Sequence, residues 1–230
     1  MDYFSWLAVS PERTIVIDSG FSEPVGKRRG RTFLRCPVDS LKLLDIDPAT
    51  VQDVILTHLH YDHVGNFHKF PVANFHVQER ELTYATGRYM RHTFLSAAYE
   101  LSEVLGVVGL NYGRRVFLHD GDVDFAPGIK LHLVGGHTGG LQIVTINTKR
   151  GTVVLASDAT HYYENMEKAR PFTTVFHVGD MLEGFEKLQR LAARPDLIVP
   201  GHDPMVMQRY PAPTKELEGI IVRLDVSPKS

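Results

Sequence analysis

Residues 57–65 read Thr57-His58-Leu59-His60-Tyr61-Asp62-His63-Val64-Gly65, placing three histidines and one aspartate within six positions. The stretch 51–56, ending in the apolar Val54-Ile55-Leu56, leads directly into them. A packed core has no use for so many polar groups in one place, because a buried polar group without a partner is costly. Imidazole and carboxylate are, however, the usual ligands of zinc and its neighbours. On a loop leaving a rigid strand, His58 and His60 can project one way. Asp62 and His63 can project another way as the chain turns into a helix, so one loop can serve two cations.

Three further positions repeat the theme of a ligand-type residue after an apolar run. His137 stands in Gly135-Gly136-His137-Thr138-Gly139-Gly140 after 129–134. Asp158 stands in Ala156-Ser157-Asp158-Ala159 after 152–155, and His202 in Pro200-Gly201-His202-Asp203 after 197–199. Small residues flank all three and let backbone approach a crowded centre. The chain has 12 His but 1 Cys, so a thiolate-rich zinc site and a disulfide framework are both excluded. With 25 Lys and Arg against 27 Asp and Glu, the net charge of -2 argues against affinity built on nucleic-acid phosphates. The apolar runs are far too short to span a membrane, and residues 1–10 carry Asp2 and no basic start, so no signal peptide is evident. A cytoplasmic protein without a nucleic-acid or membrane partner is expected, with a small-molecule substrate. A monomer and a dimer are equally compatible with the sequence.

Short β-branched runs at 14–17, 51–56, 73–77, 115–118, 129–134, 141–146, 152–156 and 197–199 read as strands. Residues 180–193 read as an amphipathic helix, with Met181, Leu182, Phe185, Leu188, Leu191 and Ala192 on one face. Asp180 and Glu183 form its capping signal and Pro195 its stop. Weaker helices are expected at 37–44 and 78–85. Residues 83–114 contain no strand pattern and read as a helical insertion or lid. No linker divides the chain, so one α/β domain over 1–230 is expected.

Together these motifs resemble the metallo-β-lactamase superfamily, whose hallmark is His-x-His-x-Asp-His followed by His, Asp and His. The resemblance runs from Thr14 to His202. It implies a four-layer αβ/βα sandwich with a dinuclear site of two divalent cations, zinc above all. It further implies that His58, His60 and His137 hold the first cation, that Asp62, His63 and His202 hold the second, and that Asp158 bridges them. Asp18, in Ile17-Asp18-Ser19-Gly20, matches a family position that supports the ligands from behind. Residues 57–66, Ser157-Asp158-Ala159-Thr160 and Pro200-Gly201-His202-Asp203 are most similar to the N-acyl homoserine lactonases. That resemblance implies a quorum-quenching hydrolase that opens a lactone by attack of a metal-bridging hydroxide. Asp62 would also shuttle the proton.

The family's tyrosine three residues after the bridging aspartate is replaced here by His161, with Tyr162 and Tyr163 following. His161 or Tyr162 is expected to donate to the oxyanion. The first ligand falls at residue 58, so either the family's usual first strand pair, before the segment matching 4–7, is missing or the sequence starts internally. The basic run Lys27-Arg28-Arg29-Gly30-Arg31 reads as a solvated loop. The alternative is recognition of an anionic substrate together with Arg88, Arg91, Arg114 and Arg115. A hydrolase of another small cyclic amide or (thio)ester is the competing function. A glutathione thioesterase would need a helical domain that residues 203–230 cannot supply. A redox iron protein is disfavoured by His60, and a dead scaffold by the complete ligand set.

Overall fold

The computed structural model describes residues 1–229. The chain divides into two compact units, each built on one five-stranded sheet. One comprises Tyr3–Asp120 with Thr138–Gly140; the other comprises Met1–Asp2, Gly121–His137 and the chain from Leu141 onward.

In the first unit the sheet runs β1 (Trp6–Val9), β2 (Thr14–Ile17), β3 (Asp53–Ile55), β4 (Asn74–Gln78), β5 (Val116–His119) in spatial as in chain order. β1 is antiparallel to β2, and β2 to β5 are mutually parallel. Parallel neighbours need crossovers. These are supplied by α1 (Glu23–Arg28), α2 (Pro37–Ser40), α3 (Tyr61–Val64), α4 (Glu79–Thr86), α5 (Thr93–Ser96) and α6 (Leu101–Tyr112). Ile15, Ile17, Val54, Ile55, Phe75 and Val77 are fully buried; Ile15-Val16-Ile17 in β2 is a continuous apolar run, whereas in β4 Phe75 and Val77 alternate with Asn74 and His76. Residues 83–114 are indeed helices and turns without a strand.

In the second unit the sheet order is β10 (Ile198–Pro200), β9 (Gly151–Ser157), β8 (Gln142–Thr148), β7 (Ile129–Leu133), β6 (Val123–Ala126). β10 is parallel to β9, and the other pairs are antiparallel. It follows that β7, β9 and β10 all run the same way, so their C-terminal ends share one edge. α7 (Tyr163–Glu167), α8 (Val178–Leu191) and α9 (Met205–Arg209) complete this unit.

Two strands were not among the runs read from the sequence. β1 is an edge strand whose Leu7, Ala8 and Val9 are only partly covered, and β6 alternates Val123 and Phe125 with Asp124 over four residues. β6 has no continuous apolar run, whereas β1 is apolar throughout, Trp6-Leu7-Ala8-Val9, yet buries only Trp6. The expected helix at 180–193 starts two residues earlier, at Val178. Its N-cap is His177, whose Nδ1 accepts the Asp180 N–H at 3.0 Å, so Asp180 lies inside the first turn rather than at the cap. Met181, Phe185 and Leu188 are its buried stripe, while Leu182 is exposed.

Candidate metal centre

The first unit presents His58, His60, Asp62 and His63 on the loop and short helix that follow β3, and all four are buried. Their support is Asp18, at the end of β2 and fully buried. Its backbone is left-handed (φ 61°) and its N–H donates to Ile55 O at 2.8 Å, which turns the side chain toward the neighbouring strand end. Its Oδ1 accepts the Thr57 N–H at 2.7 Å; its Oδ2 accepts Thr57 Oγ1 and faces His63 Nδ1, both at 2.7 Å. Burial pushes the Asp18 carboxyl up, while His63 and Thr57 pull it down. With His63 Nδ1 committed to the carboxylate, Nε2 is the nitrogen left to ligate, as in carboxylate–histidine–metal triads. That Nε2 lies 3.8 Å from Asp62 Oδ2. The His58 ring lies 4.5 Å from His60 and 4.0 Å from His63, centroid to centroid.

Glu81 is a second anchor that the sequence reading did not single out. Fully buried on α4, its carboxylate accepts the Leu59 N–H at 3.0 Å, between His58 and His60. It also accepts Tyr99 Oη at 2.9 Å, Thr138 Oγ1 at 2.6 Å and the Gly140 N–H at 3.0 Å. One side chain therefore holds the loop of residues 58–63, Tyr99 ahead of α6 and the segment that follows His137 in the chain. Its signal was available: Tyr84 and Ala85, three and four residues on, are buried, so Glu81 sits on the inward stripe of α4. The stretch between α5 and α6 packs on the same loop. Tyr99 stacks edge-on to His60 at 4.6 Å and Ala98 O accepts the Tyr61 N–H at 2.9 Å.

The second unit presents His137, Asp158 and His202 just beyond the C-terminal ends of β7, β9 and β10, and the shared strand direction brings them together. His202 Nε2 faces Asp158 Oδ1 at 2.9 Å, and His137 Nε2 faces Asp158 Oδ2 at 3.2 Å. Both histidines have Nδ1 committed to a main-chain carbonyl: Thr174 O at 2.8 Å from His137 and Asp2 O at 2.7 Å from His202. Each N–H so held fixes the tautomer and leaves Nε2 for a cation. The crowding demands glycine. A Cβ on Gly201 would lie 2.7 Å from the Ser157 main chain and 2.9 Å from Asp158 Oδ1; one on Gly136, at φ +83°, would meet Met181 N at 2.6 Å. Buried nitrogen and oxygen donors with fixed tautomers, drawn around carboxylates, are a donor set that fits a divalent cation.

His161 is buried beside these residues. Its Nε2 lies 3.0 Å from Asp158 Oδ2 and its ring stacks on Phe172 at 3.9 Å. Tyr162, partly exposed, is the N-cap residue of α7 and packs against Phe172 at 5.9 Å. Asp203 accepts the Met205 N–H in its own turn at 2.9 Å and the N–H of Tyr163, beside Tyr162, at 3.1 Å.

Three of the arginines considered for substrate binding are engaged within the chain. Arg28 and Arg29 pair with Glu100 at 2.8 Å each, and Arg29 also reaches Ala97 O and Tyr99 O and lies over the Tyr61 ring. Arg115 donates to Phe70 O and Ala73 O. Outside the motifs, His76 pairs with Asp53 and His132 with Asp122, whereas His68, His92 and His177 are exposed. Cys36 is buried, as expected of a lone thiol in a packed chain. Among the described residues no helix is long and apolar enough to cross a membrane.

A family model described as the metallo-beta-lactamase superfamily matches residues 2–202. The chain belongs to the metallo-β-lactamase superfamily. It is 28% identical over 216 residues to the N-acyl homoserine lactonase AiiA of Bacillus thuringiensis subsp. kurstaki, covering 86% of this chain and 80% of that protein. It is 32% identical over 179 residues to the N-acyl homoserine lactonase AttM of Azorhizobium caulinodans, covering 73% and 64%. Among solved structures, an N-acyl homoserine lactone hydrolase with the product N-hexanoyl-L-homoserine at its catalytic metal centre superimposes with a TM-score of 0.75. It is 25% identical, with 90% of this chain and 83% of that one covered. The α/β class and the metallo-β-lactamase fold expected from the sequence are therefore both borne out.

Proposed function

We propose that this superfamily member is a metal-dependent hydrolase that opens a lactone ring of the N-acyl homoserine lactone type. The observation that carries the reading is Asp158, a buried carboxylate with histidine Nε2 atoms facing both of its oxygens. The relatives named as lactonases supply the substrate class. In this reading His58, His60 and His137 would hold one divalent cation, Asp62, His63 and His202 would hold the other, and Asp158 would serve both. Zinc suits a set dominated by imidazole with carboxylate. Such a pair supplies Lewis acidity and an activated water near neutral pH.

The residues of the chain do the rest. Water adds to the lactone carbonyl carbon and the ring C–O bond breaks. Asp62 takes the proton released by the water and returns it to the departing alkoxide oxygen. The Tyr162 hydroxyl donates a hydrogen bond to the oxygen that gains charge. Tyr162 suits that task better than His161, because it is partly exposed while His161 Nε2 is engaged with Asp158. The helical stretch from α4 to α6 is braced by the Arg28 and Arg29 pairs to Glu100. One buried cysteine and no disulfide suit a cytoplasmic enzyme.

The test is a turnover panel on zinc-loaded protein: lactones of varied acyl length, thioesters, phosphodiesters, cyclic amides and a β-lactam. Turnover of acylated lactones is expected. Hydrolysis of a cyclic amide with every lactone untouched would overturn the substrate class. An Asp158→Ala protein should lose cation content and activity together; one that kept two cations and full turnover would overturn the ligand assignment.

A further inference from the structure

We infer that His161 is itself a metal ligand in this chain, so that the histidine standing in place of the lactonases' tyrosine belongs to the cation's coordination rather than to substrate binding. The inference rests on the proposed metal centre and extends it by one donor.

Geometry carries it. His161 Nε2 and His137 Nε2 face the same carboxylate oxygen, Asp158 Oδ2, at 3.0 and 3.2 Å. One ligating atom from each of the three residues lies within 4.8 Å of the other two. Around a tetrahedral cation with bonds of about 2.0–2.1 Å, neighbouring donors sit about 3.3 Å apart. The two spacings to Oδ2 match that edge. The same nitrogen is badly placed for a substrate. The residue is 2% exposed, and its ring lies against Phe172 with planes 19° apart, with His202 on a further side at 5.1 Å. Its main chain is fixed too, since His161 O accepts the His202 N–H at 3.0 Å. The chain around Asp158 is built equally tightly: Ser157 is left-handed at φ 44°. A phenol at residue 161 would bring a weaker, neutral donor to this point, whereas imidazole is a strong nitrogen ligand.

Two measurements test the assignment on the metal-loaded, full-length protein. X-ray absorption of the zinc form counts imidazoles directly. Six per two cations are expected, where the family pattern of His58, His60, His63, His137 and His202 gives five. Equilibrium dialysis and the visible spectrum of the cobalt form then compare wild type with His161→Gln and His161→Tyr. Both variants should hold one of the two cations at least about tenfold more weakly, and the cobalt bands should shift with the change in donors. Folding is checked by the melting temperature, and the imidazole count of wild type needs no variant. Five imidazoles in wild type, or variants with unchanged affinity and spectrum, would overturn this inference alone. A wild type that binds no cation would overturn the metal centre with it.

Discussion

The two units solve the same problem, fixing histidines before a cation arrives, by different means. In the first, the proposed ligands crowd into one loop, and side-chain carboxylates hold it: Asp18 grips Thr57 and His63, and Glu81 grips Leu59. In the second, the ligands are more than twenty residues apart in sequence. Strand direction gathers them, main-chain carbonyls of Thr174 and Asp2 set their rings, and glycine makes room. The difference teaches where each half is vulnerable. A loop without ladder hydrogen bonds of its own needs acids that can be deleted by mutation. A sheet edge carries its supports in the main chain, which substitution barely touches.

Glu81→Ala should break the comparison hardest. It strips four donors of their acceptor in a buried place, at a cost on the order of 3 kcal/mol or more, read from the urea midpoint. Glu81→Gln, which keeps one acceptor oxygen, should cost less. Asp18→Asn should leave the fold standing but weaken cation binding about 10- to 100-fold, measured by competition with a chelator. Glu103 on α6 offers a pH probe in the same unit. Burial, with Glu100 and Asp62 nearby, raises its carboxyl from 4.5 to about 8 against the pull of Arg29 and Arg28. Its Oε2 finds no hydrogen-bond partner among the described residues. Because the folded state holds the proton more tightly, the stability is fully present below about pH 4.5 and is lost as pH rises through about 8. Glu103→Gln should flatten that decline in denaturation curves taken from pH 5 to 9. Thr174→Ala should do least, within about 0.5 kcal/mol and with cation affinity preserved, because it leaves the carbonyl that orients His137 in place.

Much of this was legible from the residues. The ligand-type residues of every motif, and Asp18 behind them, are named by short patterns at strand ends, since a strand end is where a side chain can be both fixed and exposed to a ligand. Strands such as β2 and β9 read clearly because burial on both faces calls for apolar residues in succession. β6 did not, because Asp124 interrupts its short apolar stretch, and β1, though apolar at Trp6–Val9, is a mostly uncovered edge strand. Glu81 escaped notice because a charged residue among Glu79, Arg80 and Glu81 reads as a solvated face; only its register with Tyr84 and Ala85 gives it away. Arg28 and Arg29 looked like a cation patch because their partner, Glu100, lies more than seventy residues downstream. His177 as an N-cap was hidden because imidazole is an unusual capping group.

The hold of Asp2 on His202 has a bearing on how the protein is made. The His202 ring is oriented by a carbonyl 200 residues earlier, and the His202 carbonyl accepts the Asp2 N–H in return, at 3.0 Å. On a ribosome the first partner emerges long before the second, and closing so large a loop is among the slower events a chain can undertake. Competence to capture metal is thus a late acquisition in biosynthesis, and refolding should restore helical signal well before it restores cation uptake.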